Sequence, residues 1–145
     1  MPEKKTIERA KRDKAEGKAP TTQAGEFVRE EMEHIRQGKH GARSAKQAIA
    51  IGLSKARRAG VDLPPPKRGR VSEATRKRAE RDLEKGQSGK PAKTSAKRSR
   101  ARREALKREP RSAASKAALS KQAKQAARSR RARGKVTSSG GSRSR

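Results

Sequence analysis

Cysteine and aromatic residues are almost missing from this 145-residue chain. It contains one Phe and no Trp, Tyr or Cys. Without cysteine, disulfides and thiolate zinc sites are excluded. Aromatic side chains usually supply much of a core, so one Phe leaves little material for a compact fold. With 28% hydrophobic and 40% charged residues, the composition predicts that most of the chain lacks a core.

Long apolar runs are also missing. No stretch approaches the roughly 18 residues of a membrane span, and residues 1–20 lack the apolar segment of a signal peptide. We therefore expect no membrane partner and a cytoplasmic location. A phosphate-cradling glycine loop and a nucleophile with its base are missing too. Their absence predicts no catalytic residues, no cofactor and no enzyme activity.

Acidic residues are the third shortage. Lys and Arg number 43 against 15 acidic residues, which gives a net charge of +28. Residues 64–145 carry +22 of this charge and residues 1–63 carry +6. A chain that repels itself so strongly needs a polyanion, and DNA and RNA are the abundant ones in cells. The charge predicts nucleic-acid binding, with DNA the first expectation and RNA second; a merely solvated surface is the other interpretation.

Apolar residues recur at helical spacing over two consecutive stretches only between residues 24 and 59. A glycine-bearing turn over residues 38–43 separates the stretches, and Ser44 is a good N-cap for the second. This pattern predicts a helical hairpin over residues 21–63, closed by Val61 and Leu63, with Gly52 where the helices come close. The stripes comprise Phe27, Val28, Met32 and Ile35 on the first helix and Ile49, Leu53 and Ala56 on the second.

The rest of the chain is predicted to be weakly structured. Residues 1–20 predict a short N-terminal helix and linker, and residues 64–71 a proline-rich basic linker. Residues 72–145 predict a basic tail that is disordered, or helical on binding. Its stretches 72–85, 95–109 and 112–133 each begin with a capping serine but contain few apolar residues. The expected fold class is mostly α with extensive disorder: a small helical hairpin followed by a basic, partly helical low-complexity tail.

The linker contains Lys67-Arg68-Gly69-Arg70 after three prolines. An extended Arg-Gly-Arg core fits the narrow minor groove of A·T-rich DNA, because glycine allows close approach and each arginine meets an enhanced negative potential. The sequence resembles an AT-hook, although Val71 stands where that motif has proline. An ordinary basic linker is the alternative interpretation.

The turn before the second predicted helix is another candidate contact. A helix N-terminus offers free N–H groups and a partial positive charge. Lys39, Arg43 and Lys46 surround Ser44 at this point. Together they predict contacts with a backbone phosphate, and an ordinary capped turn is the alternative.

Glutamates are concentrated on the first predicted helix of the hairpin. Glu26, Glu30, Glu31 and Glu33 predict an exposed acidic face that docks a protein partner or a second copy of the chain; a solvated surface is the alternative. Glu30 and His34 are four residues apart and could share a metal ion. The sequence shows no third ligand, so no metal site is expected.

Three runs in the first half carry a family resemblance: TQAGEFVREE at 22–31, GKHGARS at 38–44 and KQAIAIGLSKARRAG at 46–60. This half resembles a family of small basic proteobacterial proteins of unknown function, whose members are variously labelled DNA-binding or plasmid-stabilisation proteins. The tail is similar only in composition to the basic tails of linker-histone-like bacterial proteins. The resemblance implies a cytoplasmic, nucleoid-associated setting and no role for any residue.

The combined prediction is a hairpin module fused to a basic tail that binds DNA with little sequence preference and compacts or bridges duplexes. RNA or ribosome binding is one alternative, and a protein-interaction adaptor built on the hairpin is another. The residues predicted to contact DNA are Lys67, Arg68, Gly69, Arg70, Arg98, Arg100, Arg102, Arg103, Arg128, Arg130, Arg131 and Arg133.

Overall fold

The chain is mostly helical, as its composition predicts. The computed structural model describes residues 2–89 and 95–140, and within them it contains α-helices, one short 3₁₀ helix and no β-strand. The α-helices are α1 (Lys4–Ala15), α2 (Pro20–Arg36), α3 (Ala45–Arg58), α4 (Glu73–Gln87), α5 (Ala96–Lys107) and α6 (Lys116–Gly140), and the 3₁₀ helix is Arg111–Ala114.

The predicted pairing of α2 with α3 is present. Ser44 caps α3, since its hydroxyl accepts a hydrogen bond from the Gln47 N–H at 3.2 Å. Gly38 has a φ of +78° and lets the chain reverse after α2. A Cβ on Gly52 would lie 2.7 Å from Cα of Val28, so the absence of a side chain allows the two backbones to approach. Both sequence expectations, the Ser44 cap and the close approach at Gly52, are confirmed.

One core cluster surrounds Phe27, which is 1% exposed. Val61 and Leu63 fold back onto this cluster, as predicted, and α1 covers it from the other side. A helix as short as α1 is only marginally stable in isolation, and this packing stabilises it. The buried members are Ala10, Ala24, Phe27, Ala56, Val61 and Leu63, with Ile7 and Leu53 packed against them.

The start of the proline linker is held by Arg57. Its guanidinium donates hydrogen bonds to the carbonyl oxygens of Leu63 and Pro64, each at 3.1 Å. Burial of this group lowers the pKa of Arg57 below its ordinary value. Arg57 is therefore part of the packing between α3 and the linker.

The second core cluster includes residues from the predicted tail. Ala113 and Ala114 are buried with Ile35 of α2, and Leu119 of α6 packs against the cluster. The turn between α2 and α3 is also covered, since the N–H of Gly41 donates to the carbonyl oxygen of Leu106 at 2.8 Å. Residues 106–119 therefore return to the hairpin, where the sequence predicts a separate tail. The buried members are Met32, Ile35, Ala42, Ala48, Ala113 and Ala114, with Val28 and Ile49 packed against them.

The last helix of the structure begins and ends at residues other than those the sequence predicts. Residues 111–114 form a 3₁₀ helix, and α6 begins after Ser115, whose hydroxyl accepts from the Ala118 N–H at 3.1 Å. The extended backbone of Ser115 separates the two helices, and this bend allows Ala113 and Ala114 to be buried. The prediction of a helix starting at residue 112 and ending at Gly134 is wrong, because α6 continues to Gly140.

Helix α4 packs on α3 through a glycine contact. Gly86 lies against the backbone carbonyl of Arg57. Ser54 donates a hydrogen bond to Oδ2 of Asp82 at 2.7 Å, and Arg58 lies 3.8 Å from the same carboxylate. These contacts join residues beyond the predicted boundary at 63 to the hairpin.

Replacing Gly86 by Ala tests this docking through the sign of the change in stability. Alanine in an undocked helix would raise the unfolding free energy by about 1 kcal/mol, because glycine is a poor helix former. In the docked helix, the new Cβ would collide with the carbonyl oxygen of Arg57, so we expect a loss of about 1–3 kcal/mol. Urea unfolding followed by circular dichroism measures the difference.

Gly25→Ala is the matched control, because Gly25 is exposed within α2 and a Cβ there would meet no atom within 4 Å. It is expected to stabilise the chain by about 1 kcal/mol. A stabilising effect of Gly86→Ala would show that α4 does not dock on α3.

Candidate functional site

A row of exposed cations follows one side of α6. Lys121, Lys124, Arg128 and Arg131 are exposed, and steps of three and four residues place them on one helix face. The opposite side of α6, where Leu119 contacts the hairpin, is half-buried. Helix α6 contains no Asp or Glu. We call these four residues the α6 cation row.

The arginines predicted as DNA contacts on α5 are all exposed, but they do not share one face. Arg98 and Arg102 are four residues apart and lie on one side, whereas Arg100 and Arg103 are three apart and lie on another. No residue of α5 is buried. A single straight duplex therefore reaches one of these pairs at a time.

The AT-hook-like residues form a turn. The N–H of Arg70 donates to the carbonyl oxygen of Lys67 at 3.3 Å, and Gly69 has a φ of +84°. A positive φ at the third position is the geometry of a type II turn. The prediction of an extended Arg-Gly-Arg core is wrong for this structure, because the local hydrogen bond closes the chain on itself.

Two shallow depressions collect cations from distant segments. Arg70 of the linker lines a depression of about 280 Å³ together with Arg130 and Arg133 of α6. A second depression, of about 460 Å³, is lined by Arg36, Arg111 and Lys116, among others, near the start of α6. The fold therefore brings the linker beside α6 at one depression and α2 beside the start of α6 at the other, which the spacing of these residues in the sequence does not reveal.

Some of the groups predicted to contact phosphate at the turn before α3 are bonded to other groups of the protein. The Ser44 hydroxyl is occupied as the helix cap, and the N–H of Arg43 donates to the side chain of Gln47 at 2.6 Å. Lys39 lies 3.7 Å from the carboxylate of Glu3. The side chains of Arg43 and Lys46 are exposed, so a phosphate contact there stays a prediction.

The predicted acidic face of α2 is wrong for two of its four glutamates. Glu30 is 3% exposed and Glu31 is 0% exposed. Glu31 accepts a hydrogen bond from the ammonium of Lys55 through Oε1, and its Oε2 lies 3.1 Å from Nε2 of His40. Because partners on α3 and the turn cover this side of the helix, only Glu33 is fully exposed and Glu26 is half-buried.

Glu30 belongs to a network with the N-terminal segment. Its Oε1 accepts from the backbone N–H of Glu3 at 2.6 Å, while Oε1 of Glu3 accepts from Nε2 of His34 at 3.1 Å. The hydrogen bond with His34, aided by the charge of Lys39, holds the pKa of Glu3 below its usual range. The two histidine rings meet edge to face with centroids 6.3 Å apart.

These side chains form two overlapping groups that could hold a metal ion. Glu31, His34 and His40 make one group, and Glu3, Glu30 and His34 make the other. In each group the donor atoms lie within 4.8 Å of one another. The third ligand that is missing from the sequence around Glu30 and His34 is therefore supplied by the fold. The one signal in the sequence is that two of these glutamates and the two histidines lie within eleven residues of one another, on both sides of Gly38.

Residues 4–68 match the model of a family described as Family of unknown function (DUF6496). The match ends inside the basic linker, so it includes α1, α2 and α3 and excludes α4, α5 and α6. No curated protein and no solved structure matches the chain significantly. Among the described helices, none is long and apolar enough to cross a membrane.

Proposed function

We propose that this protein binds duplex DNA with little sequence preference, through the α6 cation row and the exposed arginines of α5. The observation that carries the proposal is the α6 cation row itself. It extends about 15 Å along the helix at 1.5 Å per residue, and duplex DNA carries roughly nine phosphate charges over that length. Phosphates along one edge of a groove are matching partners for such a row.

The one aromatic residue of the chain is buried, which favours duplex over single-stranded nucleic acid as the partner. Proteins that bind single strands stack bases on exposed aromatic rings, and Phe27 is 1% exposed. Lys and Arg that contact phosphates carry no sequence information. The proposed binding is therefore tolerant of sequence.

The divided arrangement of arginines on α5 supports bridging. One duplex on the Arg98 and Arg102 side leaves Arg100 and Arg103 available for a second duplex. Bridging of this kind compacts DNA, so we propose that the protein acts on the nucleoid, where compaction takes place in bacteria.

The test replaces all four residues of the α6 cation row with Gln. Gln has nearly the helix propensity of Lys and Arg, so α6 is retained while four positive charges are lost. We expect affinity for a mixed-sequence duplex at 0.1 M salt to fall about 100-fold or more, and the salt slope to fall by about 3 to 4. Fluorescence anisotropy across a salt series measures both quantities.

The matched control removes the same charge from another helix. Lys4, Lys5, Lys11 and Lys14 of α1 are exposed, and replacing them with Gln changes the net charge equally. An equal loss of affinity in both variants would show that binding depends on the net charge of the chain and not on where the cations lie. That result would contradict a site on α6. Tighter binding to double-stranded RNA of the same length than to DNA would instead make RNA the partner.

A further inference from the structure

We propose that Glu31, His34 and His40 bind one divalent transition-metal ion, independently of DNA binding. The three residues meet on the inner side of the turn between α2 and α3, with Glu3 and Glu30 beside them. His34 and His40 are 14% and 13% exposed at the side chain, so an ion could reach the site from that side. Helical spacing places Glu31 and His34 on one face of α2.

The hydrogen bond of His40 sets its tautomer. Nδ1 of His40 lies 2.9 Å from the carbonyl oxygen of Gly41. A carbonyl oxygen only accepts, so Nδ1 carries the proton, and in the neutral ring Nε2 has a lone pair. That lone pair lies 3.1 Å from Oε2 of the buried Glu31. Two facing acceptors are stabilised either by a proton on Nε2 or by a metal ion that both atoms bind from one side, and an Nδ1–H bonded to a backbone carbonyl is the usual outer support of a metal-ligating histidine.

At this site, two buried carboxylate oxygens make no hydrogen bond, although one of them, Oε2 of Glu31, lies beside Nε2 of His40. Within the described part of the chain, Oε2 of Glu30 and Oε2 of Glu31 make no hydrogen bond, although both side chains are almost completely buried. A buried charged oxygen without a partner is costly. The other oxygen of each is already used, by the Glu3 N–H and by Lys55. These oxygens are therefore available to an ion from within the site.

The donor set selects the class of ion. Two imidazoles with carboxylates and no thiolate suit Zn²⁺ and its neighbours in the first transition row. Ligands of one tetrahedral Zn²⁺ lie about 2.0–2.2 Å from it and therefore about 3.5 Å from one another, so any donor atoms near the 4.8 Å limit must approach by about 1 Å when the ion binds. Glu3 or Glu30, which form the second group around His34, can supply a fourth ligand. Lys55 stays on Oε1 of Glu31, opposite the metal-facing Oε2.

The ion would tie three separate parts of the chain together. His40 belongs to the turn, Glu31 and His34 belong to α2, and Glu3 lies before α1. With all four positions held by protein groups, the site matches the closed kind that contributes to folding.

Zinc titration of the untagged 145-residue chain tests the proposal, after removal of metal with a chelator. Isothermal titration calorimetry with ZnCl₂ in the absence of DNA is expected to give one saturable site per chain. Replacing His34→Gln or His40→Gln is expected to weaken binding by at least about 10–100-fold, the loss that outer-shell changes alone produce. Glu33→Gln is the control, because Glu33 is exposed on the same helix and pairs with Arg29 at 3.5 Å.

Nitrogen chemical shifts of the two histidines, measured by NMR, test zinc binding on the native chain. This measurement tests the proposal even if a histidine variant loses helical content. Zinc is expected to shift Nε2 of His40 while Nδ1 keeps its proton. A doubly protonated His40 at neutral pH with zinc in excess would show that a proton fills the gap to Glu31 and would overturn the proposal. So would the absence of a saturable site, or equal zinc affinity in both histidine variants and the native chain.

Discussion

The affinity of the full chain for a short mixed-sequence duplex is expected to fall by about 10³- to 10⁵-fold between 50 and 200 mM salt. This is the loss expected when roughly six to ten phosphates are neutralised by Lys and Arg and their counterions are released. In the proposed interface, the α6 cation row and one arginine pair of α5 would supply six such contacts. A plot of log affinity against log salt from anisotropy titrations gives the number of contacts directly.

Two further results would test the kind of contact that the chain makes with DNA. An A·T-rich duplex of the same length should bind no more tightly than the mixed sequence, because residues 67–70 form a turn and not an extended hook. Preferential binding to the A·T-rich duplex would indicate that the turn opens into the minor groove. An affinity that barely changes with salt would rule out phosphate contacts as the main source of binding.

Replacing Phe27 by Ala is expected to lower the free energy of unfolding by about 3–5 kcal/mol, the range measured for Phe→Ala in packed cores. Phe27 is buried where α1, α2, α3 and the segment with Val61 and Leu63 meet, so no single neighbour can fill the cavity. The total free energy of unfolding of a small domain is about 5–15 kcal/mol. The variant should therefore lose a large part of its helical signal near physiological temperature, as thermal and urea unfolding by circular dichroism would measure.

Phe27→Leu is the conservative control and is expected to cost less than about 1.5 kcal/mol, since it keeps most of the apolar volume. At low salt, Phe27→Ala should bind DNA almost as tightly as the native chain, because the cations of α5 and α6 lie outside this cluster. An unchanged melting temperature for Phe27→Ala would contradict the central position of this residue. A large loss of DNA affinity would show instead that binding depends on the packed module.

Local features of the fold could be predicted from the sequence because they depend on neighbouring residues. The serines at 44, 72 and 95 are helix caps in the structure, each accepting a hydrogen bond from an N–H three residues later. Phe27 and Ile35 are buried as their helical spacing predicts. Val61 and Leu63 were close enough along the chain for their contact with α3 to be expected. Short-range sterics and hydrogen bonds decide such features.

The candidate site was predicted less completely, because its residues meet through long-range packing. Glutamates at 30 and 31 resemble exposed charge in the sequence. In the structure Glu31 is paired with Lys55, which is 24 residues away, and Glu30 accepts a hydrogen bond from the backbone of Glu3, which is 27 residues away. The approach of His40 to Glu31 depends on the reversal of the chain at Gly38. For the cations, the sequence identified which residues carry charge, whereas the burial of one side of α6 determined which of them share an open face.

By itself, the sequence determined the helical class, the hairpin of α2 and α3, and the excess positive charge, since each follows from composition and periodicity. Only the tertiary structure decided that residues 106–119 return to the hairpin, that Glu30 and Glu31 are buried beside two histidines, and that the Arg-Gly-Arg core is a turn. The physical reason is that Ala113 and Ala114 give almost no apolar signal alone. Their burial becomes favourable only against the surface that Ile35, Ala42 and Ala48 have already formed.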